Sequence, residues 1–281
     1  MDELSALRAS VSDDDIARRV QDIHAQFDVQ SDCLESELER AARTSAALDN
    51  FVPPHHLNAF AYYYEGSGNE VNEDTMSSMI VGTSLLTSRN IPVAGEYEVK
   101  NLIAMKIMDA FGVGGSFTEY YALDYDADVV LMGHDGPGHI VIAEGKTKIR
   151  PLEVYHGKVG RGLSVEMPVR YGPVTLLAVV EDDHPNFKLL VAEGECVPGD
   201  ILQIGNTNSR YRFAIGARTF VEEWNAQGPA HHCAVGVGHI TPVIEKLARI
   251  GGIAFHRVCK GTWLSFASKS EKEHLLCVQD C

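Results

Sequence analysis

Apolar residues recur every three or four positions in the N-terminal third of the chain, which is the spacing of a helix face. Ser12 and the acidic residues after it predict a helix start, because a side-chain acceptor and negative charge suit the free amides there. The predicted helices are Ser12–Phe27, Cys33–Leu48, Glu73–Leu86 and Glu98–Phe111. Apolar runs predict buried strands at Leu57–Tyr64 and Ile91–Ala94, with a polar loop at Gly66–Asn72 between them. This alternation predicts parallel strands joined by helical crossovers.

After Gly112 the pattern changes to short apolar runs punctuated by Gly, Pro, Asn and Asp, which is typical of antiparallel β structure. The predicted strands are Ser116–Leu123, Asp128–Met132, His139–Ala143, Val174–Val180, Phe187–Ala192, Ile201–Ile204, Tyr211–Ile215 and Ile253–Val258. A short helix is predicted at Phe220–Asn225. A longer helix is predicted to have Thr241 as its N-cap and to stop at Gly251.

These patterns predict a mixed α/β and α+β fold with two domains. A partial Rossmann-like βαβ domain is expected over residues 1–112, and a mostly antiparallel, barrel-like β-rich domain over residues 113–281. The boundary is placed at Gly112–Gly115, where the composition shifts. The polar tail from Lys260 carries little pattern, so we expect it to be loosely packed.

Composition and charge narrow the range of partners. The formal net charge of −15 opposes binding to nucleic acid phosphates and anionic membranes. No stretch approaches the roughly 18 apolar residues of a membrane span, and Met1–Leu4 lacks the features of a secretory signal. The six scattered cysteines include no C-x-x-C pair and predict free thiols in a reducing compartment. We therefore expect a cytoplasmic protein with no nucleic acid or membrane partner.

Two glutamates flank the predicted domain boundary. Glu96 follows a predicted strand, and Glu119 lies on the first strand of the β-rich part, on one face with Phe117 and Tyr121. Carboxylates on separate rigid elements can share a divalent metal or divide acid and base work between them. The structural alternatives are a helix-start carboxylate bonded to backbone amides for Glu96, and an edge strand with a solvated face for Glu119.

Histidines in two glycine-containing segments supply further candidate ligands. His134 ends an apolar run, and His231 and His232 lie between small residues in a predicted loop. Adjacent histidines point in different directions, so at most one of that pair is expected to ligate a given metal. A set of two glutamates and two histidines without a thiolate suits Mn²⁺ or, less selectively, Co²⁺, Mg²⁺ or Fe²⁺. The alternative for each histidine is a structural residue whose nitrogens are hydrogen-bonded.

Other catalytic patterns are missing or weak. The sequence has no G-x-S-x-G, P-loop or kinase motif, nor the H-E-x-x-H of zinc proteases. Gly112–Gly115 follows a helix instead of joining a strand to a helix, which disfavours dinucleotide binding. Cys233 beside His232 is either a nucleophile or a small buried thiol, and the second interpretation is favoured.

Four segments together resemble the L-arabinose isomerase family, within the wider arabinose/fucose isomerase superfamily. They are Ala94–Gly95–Glu96, Gly114–Glu119, Gly133–His134 and Ala230–His232. The similarity extends from about residue 15 to about residue 258. Family members also have an N-terminal, nucleotide-binding-like domain with no counterpart in this sequence, so a short form is expected.

The resemblance implies a function and a role for each site residue. Glu96, Glu119, His134 and His232 would hold a divalent metal, usually Mn²⁺, and His231 would neighbour the site as a substrate-binding residue. Glu96 and Glu119 would be the catalytic residues, moving a proton between C1 and C2 of a pentose or hexose through a cis-enediol. The resemblance also implies a homo-oligomer.

The chain departs from the family pattern immediately after the first glutamate, where Tyr97–Glu98 replaces Gly-Asp. Three functions stay open at this point. The first is a metal-dependent aldose–ketose isomerase. The second is a non-catalytic sugar- or metal-binding relative, or a subunit of a larger isomerase assembly. The third is a metal-dependent lyase or epimerase on the same scaffold.

Overall fold

The computed structural model describes residues 1–63, 69–152, 154–155, 158–159, 162–181 and 186–258. Its helices are α1 Asp2–Ala9, α2 Asp13–Gln26, α3 Glu35–Phe51, α4 Glu70–Met76, α5 Ile80–Thr87, α6 Val99–Ala110, α7 Ala217–Asn225 and α8 Thr241–Gly251. The strands are β1 Asp28–Val29, β2 Phe60–Ala61, β3 Val93–Ala94, β4 Ser116–Asp124, β5 Val129–His134, β6 Lys148–Pro151, β7 Val154–Tyr155, β8 Lys158–Val159, β9 Leu163–Glu166, β10 Gly172–Glu181, β11 Phe187–Val197, β12 Thr207–Arg212, β13 His232–Val237 and β14 Ala254–Val258. The tail for which loose packing was predicted lies outside the described residues.

The N-terminal helices follow the local signals in the sequence. The Ser12 hydroxyl accepts a hydrogen bond from the Asp15 amide and caps α2 as predicted. Buried apolar residues of α1 to α5 form one core, which also includes Ile149 of β6 and Val165 of β9. The parallel pairing of β2 with β3 confirms the predicted parallel strands of the α/β part.

Several predicted elements of this part have different bounds. The predicted helix Glu73–Leu86 is two helices, because the Ser77 and Ser78 hydroxyls donate to the Asp74 carbonyl at 3.2 and 2.9 Å and α4 ends there. The strand predicted at Leu57–Tyr64 is only the two residues of β2, and Tyr64 lies outside the described residues. The predicted Gly66–Asn72 loop overlaps α4, because the Asn69 side chain caps that helix.

The C-terminal half contains a seven-stranded sheet in the order β10-β13-β4-β5-β12-β11-β14. Because β10 also pairs with β11, six of these strands form a closed ring, and every pairing in the ring is antiparallel. Only β14 joins in parallel, on β11. The mostly antiparallel, barrel-like prediction is therefore confirmed. Helix α6 packs on the sheet, with Met105 in the same buried cluster as Phe117 and Ala234.

The sequence patterns placed some β segments wrongly. His139–Ala143 is a 3₁₀ turn over Ile140–Ile142, and Ile201–Ile204 is irregular. The strand predicted at Tyr211–Ile215 begins earlier, as β12. Helix α7 begins three residues before its predicted start. The N-cap of α8 is Ile240 instead of Thr241, and the left-handed residue that stops α8 is Gly252, with a φ of 64°.

Contacts across the predicted boundary join the two parts of the chain. Strand β1 pairs in parallel with β6, and β6 pairs with β9. The division at residue 112 stays a prediction. Among the described residues, no helix is both long and apolar enough to cross a membrane.

Candidate metal centre

Glu96 lies in an unusual backbone turn between β3 and α6. Glu96 and Tyr97 have φ values of 57° and 52°, which places two consecutive non-glycine residues in the left-handed region. The turn is held by hydrogen bonds from the Tyr97 amide to the Tyr62 carbonyl and from the Glu98 amide to the Gly95 carbonyl, both 3.0 Å. Each left-handed residue costs about 1–2 kcal/mol, and such strain concentrates at functional sites.

Strand register brings the other candidate ligands together. On the central strand β4, Glu119 is directly opposite His232 of β13 on one side and Gly133 of β5 on the other. His134 is the last residue of β5, and its amide and carbonyl both hydrogen-bond to the Thr207 hydroxyl. Gly133 is required here because a Cβ would lie 1.8 Å from the Thr207 carbonyl oxygen.

The predicted ligands converge around the Glu96 carboxylate. One Glu96 oxygen is 3.6 Å from His134 Nε2, and the other is 3.8 Å from both His231 Nε2 and His232 Nε2. His231 Nε2 is also 3.9 Å from Glu119 Oε2. Two triads, Glu96/His231/His232 and Glu119/His134/His232, each have one potential ligand atom per residue within 4.8 Å of one another.

The distances between the Glu96 oxygens and the histidine nitrogens allow these side chains to share one metal ion. Ligand atoms about 2.1 Å from one metal can be at most about 4.2 Å apart, and the separations measured from Glu96 are below that limit. The nitrogens of His134 and His232 are buried, and none of the four has a hydrogen-bond partner. Buried polar atoms are usually satisfied, so these orphaned nitrogens are the observation that most favours a ligand. The donor set therefore fits a divalent metal.

Burial distinguishes the three histidines. The side chains of His134 and His232 are 3% and 1% exposed, whereas that of His231 is 65% exposed. The Phe117 ring packs against both buried imidazoles, with each ring centroid 4.4 Å away. Burial lowers the pKa of His232, so its imidazole is neutral near pH 7, as a metal ligand must be.

Two further carboxylates face the outer nitrogens of the buried histidines, and sequence reasoning assigned neither of them to the site. Glu98 Oε2 is 3.9 Å from His232 Nδ1, and Asp135 Oδ1 is 3.7 Å from His134 Nδ1. The His232 imidazole lowers the pKa of the Glu98 carboxyl, although burial opposes that shift. Carboxylates in this position fix the orientation of ligating histidines. The one sequence signal that could have assigned them to the site is their position, since Glu98 is two residues after Glu96 and Asp135 directly follows His134.

Other candidates from the sequence are structural. Cys233 is buried, and burial raises the pKa of its thiol well above the usual range, which confirms the small buried thiol. A Cβ on Gly115 would lie 2.6 Å from the Met105 carbonyl oxygen, so this glycine allows β4 to approach α6. The three cysteines within the described residues, Cys33, Cys196 and Cys233, are free thiols.

The fold and this cluster define a mixed α/β protein with a candidate metal centre at one end of an antiparallel β ring. Comparison with known families identifies the class further. The model of the L-arabinose isomerase C-terminal domain matches residues 114–254, which is half of the chain. The chain therefore belongs to the L-arabinose isomerase C-terminal domain family. Glu119, His134 and His232 lie inside the matched region, and Glu96 precedes it.

Two curated relatives are similar over nearly the whole chain. They are the L-arabinose isomerases of Bifidobacterium longum strains DJO10A and NCC 2705, each 23% identical over 290 aligned residues. The alignment covers 97% of this chain and 55% of each relative. The chain thus spans about half the length of these enzymes.

Proposed function

We propose that this chain is a metal-dependent aldose–ketose isomerase that acts on a pentose or hexose. The observation that carries the proposal is the convergence of two glutamates and two buried, unsatisfied histidines from four separate segments. Membership of an arabinose isomerase domain family supports the same reaction class. Mn²⁺ is the metal we propose, because nitrogen and carboxylate ligands without thiolate suit it.

Glu96, Glu119, His134 and His232 would hold the metal. When bound, the metal would supply positive charge that stabilises the enediolate developing on the substrate. Glu98 and Asp135 would keep the Nδ1 sides of the histidines oriented, which leaves Nε2 directed at Glu96.

The two glutamates are placed to divide the proton transfer. Both carboxylates lie within 4 Å of His231 Nε2, so they border the same space at the exposed side of the cluster. In the proposed reaction, one carboxylate removes the proton from C2 of the aldose and a proton is delivered to C1. The hydroxyl proton moves from O2 to O1, so the cis-enediol collapses to the ketose without net loss or gain of atoms. His231, which is exposed, would contact the sugar hydroxyls.

The test is a panel of pentoses and hexoses incubated with the Mn²⁺-loaded protein and assayed for ketose. We expect one or more ketoses to form, and EDTA to stop their formation. Glu119→Gln should reduce kcat by about 10²–10⁴-fold, the usual contribution of a general acid–base group. Glu181→Gln, at the exposed end of β10, is the matched control and should retain activity. Unchanged activity in Glu119→Gln would contradict the catalytic role.

A second candidate is a non-catalytic sugar- or metal-binding relative, or a subunit of a larger isomerase assembly. The observation that favours it is the departure from the family pattern directly after Glu96, where Tyr97–Glu98 replaces Gly-Asp. This candidate predicts metal and sugar binding, measured calorimetrically, without product from any sugar. An epimeric aldose in place of a ketose would instead indicate epimerase chemistry at the same residues.

The proposal also includes a cellular compartment and an oligomeric state. We propose a cytoplasmic homo-oligomer, on the basis of the family and of the free thiols among the described residues. Light scattering of the purified chain would test the oligomeric state.

A further inference from the structure

The segment that follows His134 reaches helix α6 at a third buried histidine, His139. His139 is 4% exposed, and neither of its ring nitrogens has a hydrogen-bond partner. Its Nε2 is 3.7 Å from Oδ1 of Asp109, whose side chain is 4% exposed in the last turn of α6. The other Asp109 oxygen is 3.6 Å from Lys106 Nζ. The proposed reaction uses neither His139 nor Asp109.

Hydroxyl groups hold the backbone of this segment at both ends. At the start, Thr207 bonds the amide and carbonyl of His134, at 3.1 and 2.9 Å. At the end, three consecutive amides donate to serine hydroxyls of neighbouring elements. These bonds are Gly138 to Ser84 at 3.0 Å, His139 to Ser116 at 3.2 Å and Ile140 to Ser88 at 3.2 Å. The segment is therefore fixed at two points, with His134 at one and His139 at the other.

Strand β4 contacts both ends of the segment. The Phe117 ring packs against the His134 imidazole, with 4.4 Å between the ring centroids, and the hydroxyl of the preceding residue, Ser116, accepts a hydrogen bond from the His139 amide. The segment is bent after His134, because a Cβ on Gly136 would lie 2.9 Å from His134 Nδ1. The two ends of the segment therefore rest on adjacent residues of one strand, so a displacement of His139 would act on His134.

We propose that His139 and Asp109 form a positioning pair that fixes His134 relative to Glu96. Helix α6 is a common support for His232 and His139, since Glu98 at its start faces His232 and Asp109 near its end faces His139. The inference rests on the proposed metal centre. Loss of either member should weaken metal binding by about 10–100-fold, the size of effect that residues supporting metal ligands have. Neither residue touches the metal or substrate.

The test uses Co²⁺ as a spectroscopic probe of the full chain. We expect His139→Gln and Asp109→Asn to alter the visible Co²⁺ absorption and to raise the Co²⁺ Kd by about 10-fold or more. His55→Gln, at an exposed histidine paired with Glu3, is the control and should leave both unchanged. The double variant should bind Co²⁺ no more weakly than the weaker single variant, because members of one pair are not additive.

A second measurement separates this inference from the proposed function. In metal-free protein, hydrogen exchange of the peptide 133–140 should be at least tenfold faster in Asp109→Asn than in the wild type, while exchange in α3 stays unchanged. If wild type binds no Co²⁺, the metal centre and the positioning role are both overturned. If wild type binds Co²⁺ and both variants keep its Kd, spectrum and exchange rates, only the positioning pair is overturned. Ser116→Ala, which deletes one hydroxyl acceptor, provides a milder variant if the others do not fold.

Discussion

Replacing His232 with leucine should stabilise the metal-free protein while abolishing its stabilisation by metal. Both His232 nitrogens are buried without hydrogen-bond partners, and an unsatisfied buried polar group costs about 1–3 kcal/mol. Glu98, 3.9 Å away, offsets part of that cost electrostatically. The leucine variant should therefore be about 1 kcal/mol more stable than wild type in EDTA, which is a rise in Tm of about 2–4 °C.

Bound Mn²⁺ should reverse the order of thermal stability of wild type and His232→Leu. At a free Mn²⁺ concentration of 100 times Kd, wild type should gain about 2.7 kcal/mol, because ligand binds only the folded state. That gain is about 5–10 °C in Tm. His232→Leu lacks a proposed ligand and should show little rise. Thermal unfolding followed by circular dichroism, with EDTA or with Mn²⁺, measures both effects.

His55→Leu provides the control, because His55 is a partly exposed surface histidine. It should leave the response to Mn²⁺ unchanged. If metal-free His232→Leu unfolded several degrees below wild type, the buried imidazole would not be a cost to the fold. If that variant kept the full Mn²⁺-induced rise in Tm, His232 would be a packing residue without a role in metal binding.

Three further predictions concern the same region. Burial lowers the pKa of folded His232 below its ordinary 6.5, so the unfolded state binds an extra proton between the two values. The free energy of unfolding of metal-free wild type should thus fall as pH drops through that range. In His232→Leu, the free energy measured by urea unfolding should depend less on pH. Glu98→Gln should raise the Mn²⁺ Kd by about 10–100-fold in calorimetry; an unchanged Kd would remove Glu98 from the site. Gly133→Ala should cost at least about 3 kcal/mol in urea unfolding, because its Cβ would overlap the Thr207 carbonyl, whereas Gly95→Ala should be near neutral, because its Cβ would lie 3.9 Å from the nearest atom beyond the adjacent residues. Equal stability of the two glycine variants would show that β5 and β12 can separate without loss.

Local signals in the sequence predicted the elements whose cause is local. The Ser12 cap and the helical spacing of apolar residues were sufficient for α2, and the apolar periodicity was sufficient for α6. The change to short apolar runs after Gly112 predicted the antiparallel sheet, because period-2 patterning and turn residues act within a few positions. The break between α4 and α5 was missed, since serine side chains that bond to the backbone leave little trace in hydrophobic spacing.

Elements that depend on distant partners could not be predicted in the same way. Strand β13 was not predicted, and its first residue, His232, was assigned to a loop because small residues precede it. The strand conformation of β13 depends on pairing with β4 and β10. The residue types of the candidate site were visible in the sequence, as was their resemblance to a family. The sequence did not predict the inclusion of Glu98 and Asp135, whose roles depend on which imidazole each carboxylate faces.

The amino-acid sequence specifies which chemical groups are available, namely carboxylates at Glu96 and Glu119 and imidazoles at His134 and His232. These groups meet only in the folded chain. The register of β4 places Glu119 opposite His232, and two left-handed residues direct Glu96 toward the same point. The physical reason is that strand register is set by hydrogen bonds between segments that are distant in the sequence. The strained turn at Glu96 likewise depends on a distant partner, the Tyr62 carbonyl that accepts a hydrogen bond from the Tyr97 amide. Strand pairing brings together residues that are more than 100 positions apart in the chain, such as Glu119 and His232.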